Sequence, residues 1–181
     1  LNPVQVGNVS GQLAAFLHSL HTIPVTPFAQ AGVPVEDATF WEGWLATVRD
    51  RLYPLVERDA AERFDRYAAR FLEGYRGLAF GLKHGDFGGG NILAGDGKIT
   101  GIIDFGSVSI GDVASDIAGL AASYDDAFLD LIAETYPEVH AMKPRVAFYC
   151  LAFAAMEALH GMEYGDTDAL QAGLASLDHS R

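Results

Sequence analysis

The chain has 181 residues, of which 50% are apolar and 20% are charged, so it can bury a substantial core and is not intrinsically disordered. Its formal net charge of −12 argues against a nucleic-acid-binding protein, because neutralising phosphates requires clustered Lys and Arg. The same charge suits a cationic small-molecule partner such as a polyamine sugar, and it suits ordinary solubility equally well.

Apolar residues recur at helical spacing along most of the chain. Before the central segment they predict three helices, at residues 13–20, 40–52 and 64–72, with a loop marked by Pro and Gly at 24–34. After it they predict four more, at 113–122, 127–135, 146–162 and 168–177. Pro144 suits the start of the helix at 146–162 and Gly165 its end, whereas Asp166 or Thr167 suits the cap of the last helix.

Trp41 and Trp44 lie on the second predicted helix, within a stripe of apolar residues. Such a pair could form an aromatic wall for a ligand, but a stripe at helical spacing more often faces the core. The spacing therefore favours a buried position for the pair.

The central segment is predicted to be β structure. The apolar run 78–82 predicts a short strand that leads into the loop carrying His84 and Asp86. Residues 91–94 and 99–103 predict two further strands, because Asp-Gly between them is a strong hairpin signal. An antiparallel hairpin returns the chain to its starting end, so Asn91 and Asp104 should lie side by side. The predicted fold class is mainly α with a small β-hairpin region, an α+β fold.

The most informative motif spans this same segment. Residues 83–91 read Lys-His-Gly-Asp-Phe-Gly-Gly-Gly-Asn, and residues 102–106 read Ile-Ile-Asp-Phe-Gly. Asn91 follows Asp86 by five residues, and Asp104 follows it by eighteen. Phosphoryl transfer from ATP needs a carboxylate that orients the accepting hydroxyl, and an amide oxygen and a second carboxylate that hold magnesium. The spacing matches the His-x-Asp, Asn and Asp-Phe-Gly signature of kinases.

Two departures from the protein-kinase signature indicate a particular family. Gly85 stands where protein kinases have Arg, and residues 111–118 read Gly-Asp-Val-Ala-Ser-Asp-Ile-Ala. With these features the chain resembles the aminoglycoside phosphotransferase family and related small-molecule kinases. The resemblance implies ATP or GTP as phosphoryl donor, Mg²⁺ as cofactor and a hydroxyl of a small molecule as acceptor.

The resemblance also implies a role for each motif residue. Asp86 would be the catalytic base or the group that orients the acceptor hydroxyl, and Asn91 and Asp104 would bind magnesium. His84 would support the catalytic loop, and Asp116 would hold that loop from the start of the next helix.

Two neighbours of the motif have plainer interpretations. Asp112 suits a helix cap at least as well as a substrate contact. For Lys83 we expect a solvent-exposed or loop-supporting position rather than a phosphate contact.

The resemblance covers only the second lobe of a two-lobed enzyme. Residues 1–181 correspond to a protein-kinase-like C-terminal lobe, the catalytic and substrate-binding lobe, with its catalytic loop and metal-binding hairpin at 78–106. The N-terminal β-lobe, which would cover the nucleotide, has no counterpart in this chain. We therefore expect the missing lobe of the same protein as a partner, and we expect these residues alone to transfer phosphate poorly or not at all.

The acceptor is less well specified. An aminoglycoside or a similar compound is favoured, with antibiotic resistance as a biological role that this acceptor would allow. Glu157, Glu163 and Asp166 are candidates for binding its ammonium groups, although a solvated helix end explains them better. Ser107, where some aminoglycoside-modifying enzymes have Arg, and the tail 177–181 depart from those enzymes. Macrolides, homoserine and choline therefore remain open as acceptors.

Three other classes are compatible with parts of the pattern. A metallohydrolase could use His84, Asp86 and Asp104 as metal ligands, but it would need further ligands at suitable spacing. A Ser/Thr protein kinase would have Arg at position 85. A non-catalytic kinase-like binding lobe would be expected to have lost one of the motif residues.

Cysteine content and hydropathy bear on the compartment. The single cysteine, Cys150, cannot form an internal disulfide. No apolar stretch is long enough to span a bilayer, and no secretory signal opens the chain. We therefore expect a cytoplasmic protein that has no membrane partner.

Overall fold

The computed structural model describes residues 2–179, and Leu1, Ser180 and Arg181, the last two from the predicted tail, lie outside this range. Within it the helices are α1 Pro3–His21, α2 Thr26–Gln30, α3 Ala38–Arg51, α4 Arg58–Tyr75, α5 Ala114–Ser123, α6 Asp126–Thr135, α7 Val139–Tyr164 and α8 Thr167–His179. The strands are β1 Gly81–Lys83, β2 Ile92–Gly95, β3 Lys98–Ile102 and β4 Ser109–Gly111. The backbone divides into two units, one from residues 2–36 and 79–146, the other from 37–78 and 147–179.

The predicted hairpin lies in the first unit and is confirmed. Strands β2 and β3 pair antiparallel, with Ile92 opposite Ile102. Asp96 and Gly97 form the turn with φ of 51° and 72°, the left-handed conformation that a tight hairpin turn requires.

Helix α1 supports the hairpin with two amide side chains. Asn8 Nδ2 donates a hydrogen bond to the carbonyl of Gly97 at 2.7 Å, and the Ile99 N–H donates to Gln12 Oε1 at 3.2 Å. Because these side chains satisfy backbone groups of the turn and of β3, α1 fixes the position of the hairpin.

A second strand pair joins the segments on either side of the hairpin. Strands β1 and β4 pair antiparallel, with Leu82 opposite Ile110, and Val35 forms a parallel bridge to Ile110. Leu20 of α1 packs with Leu82 and Ile110 in a small buried cluster. The sequence predicted a strand near β1 but no strand at β4.

The second unit has an aromatic core. Trp41 is 1% exposed and its ring lies 5.3–6.4 Å from the rings of Phe71, Tyr75, Phe148 and Tyr149. Trp41 Nε1 donates a hydrogen bond to Tyr75 Oη at 3.2 Å, which satisfies the indole N–H within the core. The core interpretation of Trp41 is therefore confirmed, whereas Trp44 is only half-buried.

Three predicted boundaries were wrong for identifiable reasons. Helix α1 begins at Pro3, ten residues before the predicted start, because Asn2 and Gln5 form a capping box. The predicted loop 24–34 contains the short helix α2. Pro144 lies inside α7 rather than at its start. Pro144 has no N–H to donate to the carbonyl of His140, four residues earlier. Because His140 is exposed near the start of the helix, solvent can satisfy that carbonyl instead.

The end of α7 agrees with prediction. Gly165 follows the helix with φ of 72°, and Asp166 Oδ1 accepts hydrogen bonds from the N–H groups of Asp168 and Ala169 at 3.1 and 3.0 Å. Of the two residues predicted to cap α8, Asp166 is therefore the one whose side chain caps the helix. Within residues 2–179 no helix combines the length and apolar content needed to cross a bilayer.

The different burial of Trp41 and Trp44 predicts that they contribute unequally to the free energy of unfolding. Trp41→Ala should lower the free energy of unfolding by about 3–5 kcal/mol, because it empties a close-packed site. Trp44→Ala should lower it by about 1–2 kcal/mol, because its ring is partly solvated already. Urea denaturation followed by circular dichroism measures both values. Equal losses for the two variants would contradict the assignment of Trp41 as the centre of the core.

Candidate active site

The loop between β1 and β2 places Asp86 next to Asn91. Asn91 Nδ2 donates hydrogen bonds to the Asp86 carboxylate oxygen Oδ2 and to the Asp86 carbonyl, both at 2.9 Å. The Asp86 side chain is exposed, so a solute can reach its other carboxylate oxygen. Because the Asn91 amide nitrogen faces Asp86, the Asn91 carboxamide oxygen is the atom left to meet a cation.

Asp104 lies near Asn91 because the hydrogen bonding between the two sides of the hairpin extends one residue beyond β2 and β3. The Ile103 N–H donates a hydrogen bond to the Asn91 carbonyl at 3.0 Å, which extends the register set by Ile92 and Ile102. Asp104 has a φ of 62°, its side chain is exposed, and its Oδ1 accepts a long hydrogen bond, 3.4 Å, from the Gly106 N–H. The hairpin therefore brings Asn91 and the chain at Asp104 to one end, as its geometry predicted.

His84 connects the loop to the end of the hairpin. Its side chain is fully buried, with Nδ1 3.3 Å from the Asp86 N–H and Nε2 3.0 Å from the Ile103 carbonyl. Nδ1 therefore accepts, and Nε2 carries the proton and donates. The ring also packs against Phe105, with centroids 4.6 Å apart.

The metallohydrolase interpretation finds no support in these contacts. It needs His84 as a ligand, and both ring nitrogens of His84 already bond to the backbone. Among the residues that the structure describes, no group of three or more His, Cys, Asp or Glu is arranged to hold a metal ion.

Asp116, in the first turn of α5, bonds to the start of the loop. Its carboxylate is fully buried and accepts hydrogen bonds from the backbone N–H groups of His84 at 2.8 Å and Gly85 at 2.9 Å. Its Oδ2 also lies 3.1 Å from His21 Nε2. His21 Nδ1 in turn lies 3.2 Å from the hydroxyl of Tyr136.

Sequence reasoning missed His21 and Tyr136. His21 is 95 residues from Asp116 in the chain, and no motif spacing connects the two. Burial raises the pKa of Tyr136 to about 12, with the negative charges of Glu138, Asp116 and Asp112 adding to the shift. The phenol therefore keeps its proton at physiological pH.

The glycine at position 85 has a steric cause. Gly85 has a φ of 85°, and a Cβ atom built on it would lie 2.1 Å from the Ser107 carbonyl oxygen. A side chain there would have to displace the backbone of residue 107. The conformation of this loop therefore excludes the Arg of the protein-kinase signature.

Lys83 and Glu36 form a buried ion pair that the sequence did not predict. Lys83 is 4% exposed, and its Nζ lies 2.8 Å from Glu36 Oε2. Ser109 Oγ donates to the other Glu36 carboxylate oxygen at 2.8 Å. Of the two positions predicted for Lys83, the solvent-exposed one is wrong, because β4 and the segment around Glu36 cover β1, whereas the loop-supporting one agrees with the ion pair. The pair supports the strand from which the loop departs.

Asp112 bonds both to the start of α5 and to α7. Its Oδ1 accepts a hydrogen bond from the Ala114 N–H at 3.1 Å, which satisfies one of the free donors at the start of α5. Its Oδ2 accepts from Arg145 Nε at 2.8 Å. The capping contact agrees with prediction, and Arg145 is a partner that sequence reasoning missed.

One face of the hairpin is apolar and exposed, which the sequence analysis also missed. Alternate residues of a strand share a face, and the antiparallel register places Leu93 and Gly101 on the same one. Ile103 follows β3 and donates its N–H to the Asn91 carbonyl, so it lies at the Asn91 end of the hairpin. Leu93 is 46% exposed and Ile103 44% exposed, and Gly101 adds no side chain between them. The metal-ligand candidates are therefore bordered by a flat apolar strip.

The predicted acceptor-binding residues lie in the second unit. Glu157 and Glu163 are exposed on α7, and Asp166 is exposed between α7 and α8. The Asp166 carboxylate is used to cap α8. An acceptor-binding role for these three residues stays a prediction.

Comparison with known proteins agrees with the motifs. The family model described as "Phosphotransferase enzyme family" matches residues 1–149. Viomycin phosphotransferase from Streptomyces vinaceus is 30% identical over 172 residues, which cover 92% of this chain and 60% of that protein. The chain therefore spans about 60% of the length of this curated relative.

Solved structures show the same fold. The GDP and kanamycin complex of APH(2″)-IIIa superimposes with a TM-score of 0.89 at 24% identity, covering 98% of this chain and 63% of that one. Macrolide 2′-phosphotransferase MphH from Brachybacterium faecium superimposes with a TM-score of 0.76 at 20% identity, covering 97% and 61%. These matches confirm the predicted mainly helical α+β fold. The chain belongs to the phosphotransferase enzyme family, as its resemblance to the aminoglycoside phosphotransferases predicted.

Proposed function

We propose that the complete protein containing this chain transfers the γ-phosphoryl group of a nucleoside triphosphate to a hydroxyl of a small molecule. The observation that carries the proposal is the juxtaposition of Asp86, Asn91 and the end of the hairpin at Asp104. This arrangement offers one exposed carboxylate to an acceptor and two further oxygen ligands to a cation, which is what in-line phosphoryl transfer requires.

Asp86 is assigned to the acceptor hydroxyl. Asn91 holds one carboxylate oxygen at 2.9 Å, which leaves the other to accept the hydroxyl proton as the hydroxyl oxygen bonds to phosphorus. The bond from the γ-phosphorus to the bridging oxygen breaks, and the nucleoside diphosphate leaves. The hydrogen bonds of Asn91 and His84 to this segment hold Asp86 in place and so lower the cost of reaching the reactive geometry.

Asn91 and Asp104 fit a magnesium ion. A carboxamide oxygen and a carboxylate are the hard oxygen donors that Mg²⁺ prefers, usually together with water and phosphate oxygens. When bound, the ion would neutralise negative charge on the phosphates during transfer. His84 and Asp116 take no part in ligation in this assignment, because their polar atoms bond to the backbone and to His21.

The apolar strip of Leu93, Gly101 and Ile103 is assigned to the nucleobase. It begins at the end of the hairpin where Asn91 and Ile103 meet, so a nucleotide whose phosphates meet the metal ligands can lay its base on this strip. The APH(2″)-IIIa neighbour is a GDP complex, so GTP is a donor to test beside ATP. We infer that an N-terminal lobe of the same protein covers the nucleotide from the other side.

The proposed acceptor is an aminoglycoside or a similar polycationic compound. The curated relative is a viomycin phosphotransferase, the APH(2″)-IIIa neighbour holds kanamycin, and the net charge of −12 favours a cationic ligand. A macrolide is the second candidate, supported by the likeness to the macrolide phosphotransferase.

The first prediction concerns the catalytic carboxylate. The complete protein, incubated with Mg·ATP or Mg·GTP and with viomycin, kanamycin or a macrolide, should add one phosphate to an acceptor, detected by mass spectrometry. Asp86→Ala should lower kcat at least about 100-fold, because it removes the group that accepts the proton. The 181-residue chain alone, assayed in parallel, should transfer phosphate poorly. Undiminished transfer by Asp86→Ala would disprove the role of Asp86.

The hairpin offers a matched test of the metal ligand, in which isothermal titration measures the Kd for Mg·nucleotide. Asp104 and Asp96 are both exposed, and both have a positive φ, which Asn tolerates well. Asp104→Asn should weaken Mg·nucleotide binding about 10-fold or more, because it replaces a charged ligand. Asp96→Asn should leave binding unchanged. Similar losses in both variants would point to a general charge effect instead of ligation.

The apolar strip gives a further prediction. Gly101→Val should raise the Kd for the nucleotide about 10-fold, because a branched side chain would stand where the base is proposed to lie. Gly95→Val, at the exposed end of β2 on the same hairpin, serves as the control and should leave Kd unchanged. Isothermal titration with ATP and GTP measures both. Equal Kd values for the two variants would exclude this strip as the floor of the nucleotide site.

A further inference from the structure

We propose that His21 is a positioning residue for phosphoryl transfer, acting through Asp116 on the backbone that delivers Asp86. The inference rests on the proposed function. Its starting point is the contact of His21 Nε2 with Asp116 Oδ2 at 3.1 Å, inside a site where Asp116 is fully buried and His21 is 7% exposed.

The Asp116 carboxylate needs several donors because it is buried. A charged group without water is costly unless hydrogen bonds replace its hydration. Gly85 N–H bonds to Oδ1, whereas His84 N–H and His21 share Oδ2. The two amides alone come from adjacent residues of one loop and would allow the carboxylate and the loop to shift together. His21 lies on α1, so its bond to Asp116 connects the carboxylate and the loop to a separate helix.

Tyr136 holds the imidazole in the matching orientation. Its hydroxyl lies 3.2 Å from His21 Nδ1, and the raised pKa of the phenol keeps that hydroxyl protonated. A carboxylate accepts and cannot donate, so Nε2 carries a proton toward Asp116 whether the ring is neutral or charged. The hydroxyl adapts by donating to Nδ1 in the first case and accepting from it in the second. The His21–Asp116 bond is therefore preserved in both protonation states.

The position of the contact predicts which kinetic constant changes. Asp116 bonds to residues 84 and 85, directly before Asp86, whereas α1 holds the hairpin separately through Asn8 and Gln12. Loss of the His21 bond should therefore displace Asp86 more than it displaces the hairpin, which carries the apolar strip and leads into Asp104. Misplacing a reactive group by about 1 Å can cost about 100-fold in rate.

The test uses His21→Leu, His21→Gln and the control His18→Leu in the complete protein. His18 lies one turn earlier on α1, is exposed, and packs its ring edge against Tyr136 with centroids 5.1 Å apart. His21→Leu should lower kcat about 10–100-fold, with KM for the nucleotide changed less than about 3-fold. His21→Gln keeps a terminal N–H donor and should restore kcat to within about 5-fold of the wild type. His18→Leu should match the wild type.

Hydrogen exchange supplies a readout that does not depend on turnover. In His21→Leu the backbone N–H groups of His84 and Gly85 should exchange faster, while amides of the second unit keep wild-type protection. Unchanged exchange at these two amides, or equal losses of kcat in His18→Leu and His21→Leu, would overturn the inference. If His21→Leu loses amide protection throughout the protein, it is destabilised as a whole, and His21→Gln then tests the inference. A His21→Gln variant that does not restore kcat would contradict the positioning role of His21. If the wild-type complete protein phosphorylates none of the acceptors, the proposed function is contradicted. Exchange alone would then show whether His21 holds the loop.

Discussion

The buried carboxylate of Asp116 is the constraint on which the site depends. It has no contact with solvent, so its charge is tolerable only while donors surround it. Those donors come from the loop, through the N–H groups of His84 and Gly85, and from α1, through His21. One group therefore fixes the start of α5, the end of α1 and the conformation of the loop together. A shift of any of these elements would leave a buried charge without a partner, which is why the geometry around Asp86 is well determined.

Helix α1 is the common support of the two halves of the site. Its early part holds the hairpin through Asn8 and Gln12, and its last residue, His21, holds the loop through Asp116. Asp86 belongs to the loop, and Asp104 follows the hairpin. Their separation is thus set largely by contacts to one helix, with the His84–Ile103 hydrogen bond as a direct link between them. A rigid helix is a better spacer for reacting groups than the glycine-rich loop itself, because loops hold positions less tightly.

The sequence predicted what is determined locally. The hairpin followed from the Asp-Gly pair at positions 96 and 97, because two adjacent residues decide the turn. The juxtaposition of Asp86, Asn91 and the chain at Asp104 followed from motif spacing together with the hairpin. The His21–Asp116 and Lys83–Glu36 contacts join distant parts of the chain, and neither a period nor a spacing marks such pairs. The predicted start of α7 at Pro144 was wrong, because Pro is excluded from helix interiors only where its missing hydrogen bond is costly, and near the start of α7 it is not.

Burial separates the residues that would do the chemistry from those that hold them. Asp86 and Asp104 are exposed, whereas His84 and Asp116 are fully buried. Groups that meet phosphate, metal and acceptor must be open to solvent before the ligands arrive, and exposed hydrogen bonds between flexible side chains are weak. Placing the supporting hydrogen bonds in the interior makes them stronger, because the local dielectric is low and water cannot compete. Exposed functional groups can then be held accurately without being buried themselves.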